Sequence, residues 1–266
     1  MADEHKFAVF RRTGRVWAVA AIHGEDQRLA ALHGELGDRI EAGDRLVYLG
    51  NFMGRGAGVR AVVDELLSFR AAFLARPGAH VCDIAYLRGS QEEMWHKLLQ
   101  LQMAPNPREV LPWLLGHGVG ATVTAYGGVI GHGEAAVRGA ASTITRWTGE
   151  LRAAMNAVPG HAALMSALRH AAYSDDGNLL FVNCGLDRAR PLSAQGDSFW
   201  WGGGGFQDVD EPFEGYRRIV RGYDPSHGGV EVGAVSATID GGCGFGGPLV
   251  AACFTPTGDL ADRIEV

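Results

Sequence analysis

From Val16 to Leu87 the chain alternates between apolar runs that suit buried strands and stretches in which apolar residues recur every three or four positions. That alternation restricts the region to a sheet built from strand, helix, strand crossovers. Val16 to Ile22 reads as a first strand, and Leu29, Leu32 and Leu36 follow at helical spacing. After the turn signal Gly43-Asp44 a second strand is predicted over Arg45 to Leu49. Val59, Val62, Val63, Leu66 and Leu67 then mark a second helix, and a third strand is predicted over Val81 to Leu87 after Pro77-Gly78. In a sheet of this kind ligands meet the loops just beyond the carboxyl ends of the strands. Those loops are therefore where chemistry is to be sought.

From Glu92 to about Tyr173 the pattern turns helical and predicts an insertion or cap within a single domain spanning residues 1–266. Strands return at Leu179 to Val182, Arg218 to Arg221, Val230 to Val235, Ala237 to Ile239 and Leu249 to Phe254. A hydrophobic content of 47% in 266 residues is enough for one substantial core. The net charge of -6 gives no general attraction for nucleic acid or an anionic membrane, so neither is expected as a partner. Cys82, Cys184, Cys243 and Cys253 show no paired spacing and read as reduced thiols of a cytoplasmic protein. Glycine, at 39 residues, is the compositional outlier. Its clusters at 202–205 and 241–247 imply tight turns and close backbone approach.

Five stretches fall at the expected loop positions: Ala20-Ala21-Ile22-His23-Gly24, Gly50-Asn51-Phe52-Met53-Gly54-Arg55-Gly56, Arg88-Gly89-Ser90-Gln91-Glu92, Asn183-Cys184-Gly185 and Gly222-Tyr223-Asp224-Pro225. In order and spacing they resemble the G-D-x-H-G, G-D-x-x-D-R-G, G-N-H-E, H-A-G and G-H-T-P signatures of the calcineurin-like metallophosphoesterases, in the branch of bacterial serine/threonine phosphatases and diadenosine tetraphosphatases. Trp113 to Thr122 is similar to that family's W-x-x-x-G-G-x-x-T-L segment, and Ile239 to Leu249 to its I-D-T-G-A-x-x-G-G-x-L. The resemblance implies an α/β fold, a four-layer α/β/β/α sandwich of two mixed sheets.

The resemblance also implies two divalent metals, such as manganese or iron and zinc, held ~3.5 to 4 Å apart around an attacking hydroxide. The ligand positions here are Ala21, His23, Asn51, Ser90, Asn183 and Tyr223, of which only His23 keeps the family's residue type. The acid-orienting position is Gly54 and the acid itself is Gln91, so no side chain is left to protonate a leaving alkoxide. No metal cofactor is expected. Rescue by one zinc would have to draw on His23, Cys184, His227 and Cys243, a weak set without local ligand spacing. His5, His33, His80, His96, His117, His132, His161 and His170 read as surface or packing residues, and Phe199, Trp200 and Trp201 as core and pocket wall.

What survives is cationic. Arg55 and Arg88, with His23 and Asn51 beside them, form the candidate ligand site, because an arginine fork suits phosphate or carboxylate. The reading is a pseudophosphatase that binds a phosphorylated protein or a nucleotide, or that docks a protein partner on its helical cap. Two alternatives stay open: an active phosphoesterase with an unconventional metal site, acting on phosphomonoesters, phosphoproteins or dinucleoside polyphosphates, and a purely structural interaction subunit.

Overall fold

The computed structural model describes residues 6–11 and 14–266. The strands are β1 (Phe7–Phe10), β2 (Val16–Val19), β3 (Arg45–Tyr48), β4 (Ile84–Tyr86), β5 (Ala171–Ser174), β6 (Leu179–Val182), β7 (Arg218–Arg221), β8 (Glu231–Val232), β9 (Ser236–Thr238), β10 (Val250–Phe254) and β11 (Leu260–Glu265). The helices are α1 (Asp26–Arg39), α2 (Val59–Leu74), α3 (Ser90–Leu98), α4 (Pro107–Leu114), α5 (Gly120–Ala125), α6 (Ile130–Arg138), α7 (Ala141–Asn156), α8 (His161–Ala167) and α9 (Ser198–Trp201). One sheet has the order β11-β10-β2-β3-β4, with β2, β3 and β4 parallel. The other has the order β1-β5-β6-β7-β9-β8, with β6, β7 and β9 parallel.

Strand periodicity decides which core each residue enters. Trp17, Val19, Leu46, Tyr48 and Tyr86 face the helices, where they meet Leu29, Leu32 and Leu36 of α1 and Val62, Val63 and Leu66 of α2. Their neighbours Val16, Ala18, Val47, Leu49 and Ala85 point the other way and pack against Phe181, Val220, Ala252 and Phe254, which joins the two sheets face to face. The outer face of the second sheet, including Leu180, Val182 and Ile219, is covered by Phe199, Trp200 and Phe206. The result is the four-layer α/β/β/α order, with one difference: the outermost layer beyond the second sheet consists of α9 and single turns rather than long helices. Each buried leucine of α1 contributes roughly 1.5–3 kcal/mol.

The sequence placed the crossover strands well and the other strands less well. Ala171–Ser174 lies inside the predicted helical span yet forms β5, because β1 and β6 flank it and leave it no other partner. Neither β1 nor β11 was anticipated, and both complete sheet edges. Val81–Asp83 is a single 3-10 turn before β4, and of Val230 to Val235 only Glu231–Val232 pairs. Helices α3 to α8 share one core with α1 and α2. His33 and His161 are packing residues, each bridging a tyrosine to α2. His33 lies between Tyr48 and Glu65 (2.8 and 2.6 Å), and His161 between Tyr126 and Asp64 (2.7 and 2.9 Å). His5 lies outside the described residues. Among those residues no helix is long and apolar enough to cross a membrane.

Candidate functional site

The loops beyond the carboxyl ends of β2, β3, β6 and β7 are stitched together by backbone hydrogen bonds, and the loop after β4 joins them through the Glu92 carboxylate, which accepts from the Asn51 amide at 2.8 Å. The amides of Ile22 and His23 donate to the Asn51 carbonyl (3.0 and 2.8 Å), Ala21 donates to Gly222 (2.9 Å), and Gly222 and Tyr223 donate to Asn183 (3.0 and 2.9 Å). The five stretches therefore meet in one place. His23, Asn51, Arg55 and His227 all have φ between 50° and 56°, a left-handed conformation uncommon for residues with a side chain. Gly89 is required by proximity, since a Cβ there would lie 2.3 Å from Asn51 Oδ1 and 2.8 Å from Asn183 Nδ2.

Asn51 Oδ1 accepts hydrogen bonds from the Ser90 hydroxyl (3.1 Å) and the Gln91 amide (3.0 Å). Because a backbone N–H can only donate, the oxygen's place is fixed, and Asn51 Nδ2 is the atom left without a partner. Asn183 Nδ2 donates to the Leu49 carbonyl (2.6 Å). Glu92 is a structural anchor: its carboxylate accepts from the amides of Asn51, Phe52 and Gly89 at 2.8 Å and of Met53 at 3.2 Å. Burial pushes its pKa up, while these amides favour the charged form. Gln91 Nε2 donates to the His117 carbonyl (2.8 Å).

His23 is buried, edge-on to Tyr223 and Phe245 at 5.5 and 5.4 Å, and neither ring nitrogen has a partner. Burial, reinforced by Arg55 and His227, lowers its pKa to about 3, so the ring is neutral. His227 stacks on Phe245 at 3.7 Å and pairs with Asp240 at 3.2 Å, while Asp224 pairs with Arg221 at 3.2 Å. Cys243 donates to the Ile22 carbonyl, and Cys184 packs against Gly203. Burial pushes both thiols up to about 12, so each is a protonated, weakly nucleophilic group.

This donor set does not fit a dinuclear metal centre. Two divalent cations require carboxylates among their ligands, and the side chains at the six ligand positions carry none. Among the described residues no three of His, Cys, Asp or Glu converge on a point. Among the described residues the candidates His23, Cys184, His227 and Cys243 do not form a group of three that could hold a metal; Cys243 donates to the Ile22 carbonyl and His227 pairs with Asp240. The unpartnered buried atoms at the site include His23 Nδ1 and Nε2, Asn51 Nδ2, Gln91 Oε1 and Asn183 Oδ1. They mix donors with acceptors, and the Asn51 N–H donors would face a cation with the wrong sign.

Beside them opens a pocket of about 200 Å³ walled by Met94, Trp113, His117, Trp200, Trp201 and Tyr223, with Arg55 on its rim. Arg55 is exposed, its guanidinium 3.9 Å above the Phe245 ring. Arg88, the other arginine expected here, instead pairs with Glu93 at 3.1 Å and lines a different cleft. Phe245 was not singled out in the sequence, and His117, read there as a surface or packing residue, lines the pocket. For Phe245 the usable signal was a lone aromatic residue between the glycines of 241–247, which bend the chain back onto His23.

No protein-family profile and no curated protein sequence matches the chain. Solved structures do. A provisionally assigned diadenosine tetraphosphatase superposes with a TM-score of 0.56 at 17% identity, covering 98% of this chain and 97% of that one. A serine/threonine phosphatase from Saccharomyces cerevisiae gives 0.57 at 14% identity, covering 98% and 82%. The chain has the fold of the calcineurin-like metallophosphoesterases. A cold-active protein tyrosine phosphatase, at a TM-score of 0.51 and 14% identity, covers 100% of this chain and 82% of its own. Within that metallophosphoesterase fold, the pocket described above lies where the parallel strands of both sheets end.

Proposed function

We propose that this chain is a pseudophosphatase that binds a phosphorylated ligand at the Arg55 pocket and does not hydrolyse it. One observation carries the reading. The side chains at the lost ligand positions bond to one another and to nearby backbone, as in the Asn51, Ser90 and Gln91 cluster, whereas Arg55 on the pocket rim is paired with no carboxylate among the described residues. A guanidinium resting on an aromatic face is open on its edge to a phosphate. A protein partner on the same face is a second reading, favoured by the exposure of Trp113, Trp201 and Phe245 around the pocket, an aromatic rim of the kind that anchors interfaces.

Thermal unfolding with inorganic phosphate, a phosphoserine peptide, a phosphotyrosine peptide and AMP tests the proposal. A ligand at ~100 times its dissociation constant adds ~2.7 kcal/mol, and Arg55→Ala is expected to abolish that gain. Absence of stabilisation by every probe, or stabilisation that survives Arg55→Ala, overturns it. Manganese-dependent turnover of a chromogenic phosphate ester would favour the active phosphoesterase instead.

A further inference from the structure

Helix α3 has a second cavity on its other side. Ser90, Gln91 and Met94 face the pocket already described, whereas Trp95, His96 and Leu99 face a cleft of about 260 Å³ closed by α7 and α8. Besides the polar Glu92, Asn156 and Ser166, the wall has an apolar part and a cationic part. Leu99, Met155, Met165 and Leu168 supply apolar surface, and the two methionines give it an adaptable shape. Arg88 and Arg152 supply positive charge.

Hydrogen-bond accounting shows what the cleft lacks. Trp95, only 3% exposed, has an indole N–H without an acceptor, and so has Nε of Arg88. The carboxylates nearby are committed. Glu92 is filled by four backbone amides of the neighbouring loops, and Glu93 pairs with Arg88 and Lys97. The wall thus holds two donors without an acceptor, the Trp95 indole N–H and Arg88 Nε, which an added acceptor group would satisfy. Burial is the largest cause of the lowered pKa of His96, and among the nearby charges Arg88 lowers it more than Glu93 raises it.

We infer that the cleft between α3, α7 and α8 is a binding site for a small carboxylic acid with an apolar body, its carboxylate toward Arg88, Arg152 and the Trp95 indole. Glu93 already neutralises part of the Arg88 charge, so a monoanion matches the site better than a phosphate dianion. The volume is below the ~300–1,000 Å³ of drug-sized pockets, which restricts the ligand to a small molecule. The site is separate from the Arg55 pocket and does not depend on the function proposed there.

Calorimetric titration of the full chain with hexanoate and phenylacetate, against hexanamide and phenylacetamide as neutral counterparts, tests the inference. Both acids are expected to bind and the amides not to. Arg152→Gln is expected to weaken binding about tenfold or more, as for loss of one charge-assisted hydrogen bond. Met165→Trp, which fills the cleft, abolishes binding, and Arg55→Ala leaves it unchanged. In the unmodified chain the Trp95 indole N–H resonance, assigned with Trp95→Phe, is expected to shift on adding acid. No binding of either acid, equal binding of acids and amides, an unmoved Trp95 resonance, or binding indifferent to Arg152→Gln and Met165→Trp overturns the inference.

Discussion

A Cβ on Gly54 would lie 2.1 Å from Oε1 of Gln91, so the carboxamide occupies the volume a side chain at position 54 would need. The two residues fit each other: position 54 has no side chain and Gln91 fills the space. Gly54 also has a φ of 82°, where a Cβ is strained.

Gly54→Asp is therefore expected to destabilise the protein by ~2–4 kcal/mol, from overlap with Gln91 together with backbone strain. Gln91→Ala in the same chain is expected to recover part of that loss by vacating the space. Urea unfolding of the single and double variants measures both. A Gly54→Asp protein within ~0.5 kcal/mol of the parent would show that the loop accommodates the side chain freely.

Glu92 makes the opposite kind of contribution, since it holds the loop that carries Asn51 and Arg55. Glu92→Gln keeps the shape but replaces one acceptor oxygen with a donor facing backbone N–H groups. Charge-assisted hydrogen bonds contribute roughly 1.5–3 kcal/mol each, and a loss of at least ~3 kcal/mol is expected. Amide exchange at Asn51 to Met53 should accelerate in the variant. Unchanged stability and exchange would assign Glu92 a dispensable role.

The pH dependence follows from His23. The folded ring stays neutral down to about pH 3, whereas in the unfolded chain it takes up a proton below about 6.5. The unfolded state thus binds more protons between those values, so stability is complete above about pH 6.5 and falls by ~1.4 kcal/mol per unit as the pH drops through this window. His170, lowered to about 4 mainly by burial, adds to the slope. His23→Asn removes one titrating group, so its stability should fall less steeply than the parent's between about pH 7.5 and 5. Parallel curves would mean that His23 titrates normally in the folded state.

Much of the first sheet was legible because its strands are dense in β-branched and large apolar residues bounded by turns. Val16 to Val19 and Arg45 to Tyr48 are of this kind, and Leu29, Leu32 and Leu36 fix the face of α1. Ala171-Ala172-Tyr173-Ser174 and Leu260 to Glu265 carry no such local signal. They are strands because a neighbouring strand offers a free edge, which is tertiary information. At the site, the loop positions could be read from motif spacing. The stacking of Arg55 and His227 on Phe245, the exchange of volume between Gly54 and Gln91, and the turn of Arg88 toward Glu93 depend on side-chain directions that spacing does not encode.

Elemental analysis of the purified chain after equilibration with excess manganese and removal of unbound ion, coupled to a phosphate-ester assay on the same sample, probes the site most directly. A cleft whose ligand positions carry one neutral imidazole and no carboxylate is expected to retain no stoichiometric metal and to show no manganese-dependent turnover. Two metal ions per chain with metal-dependent hydrolysis would contradict the account.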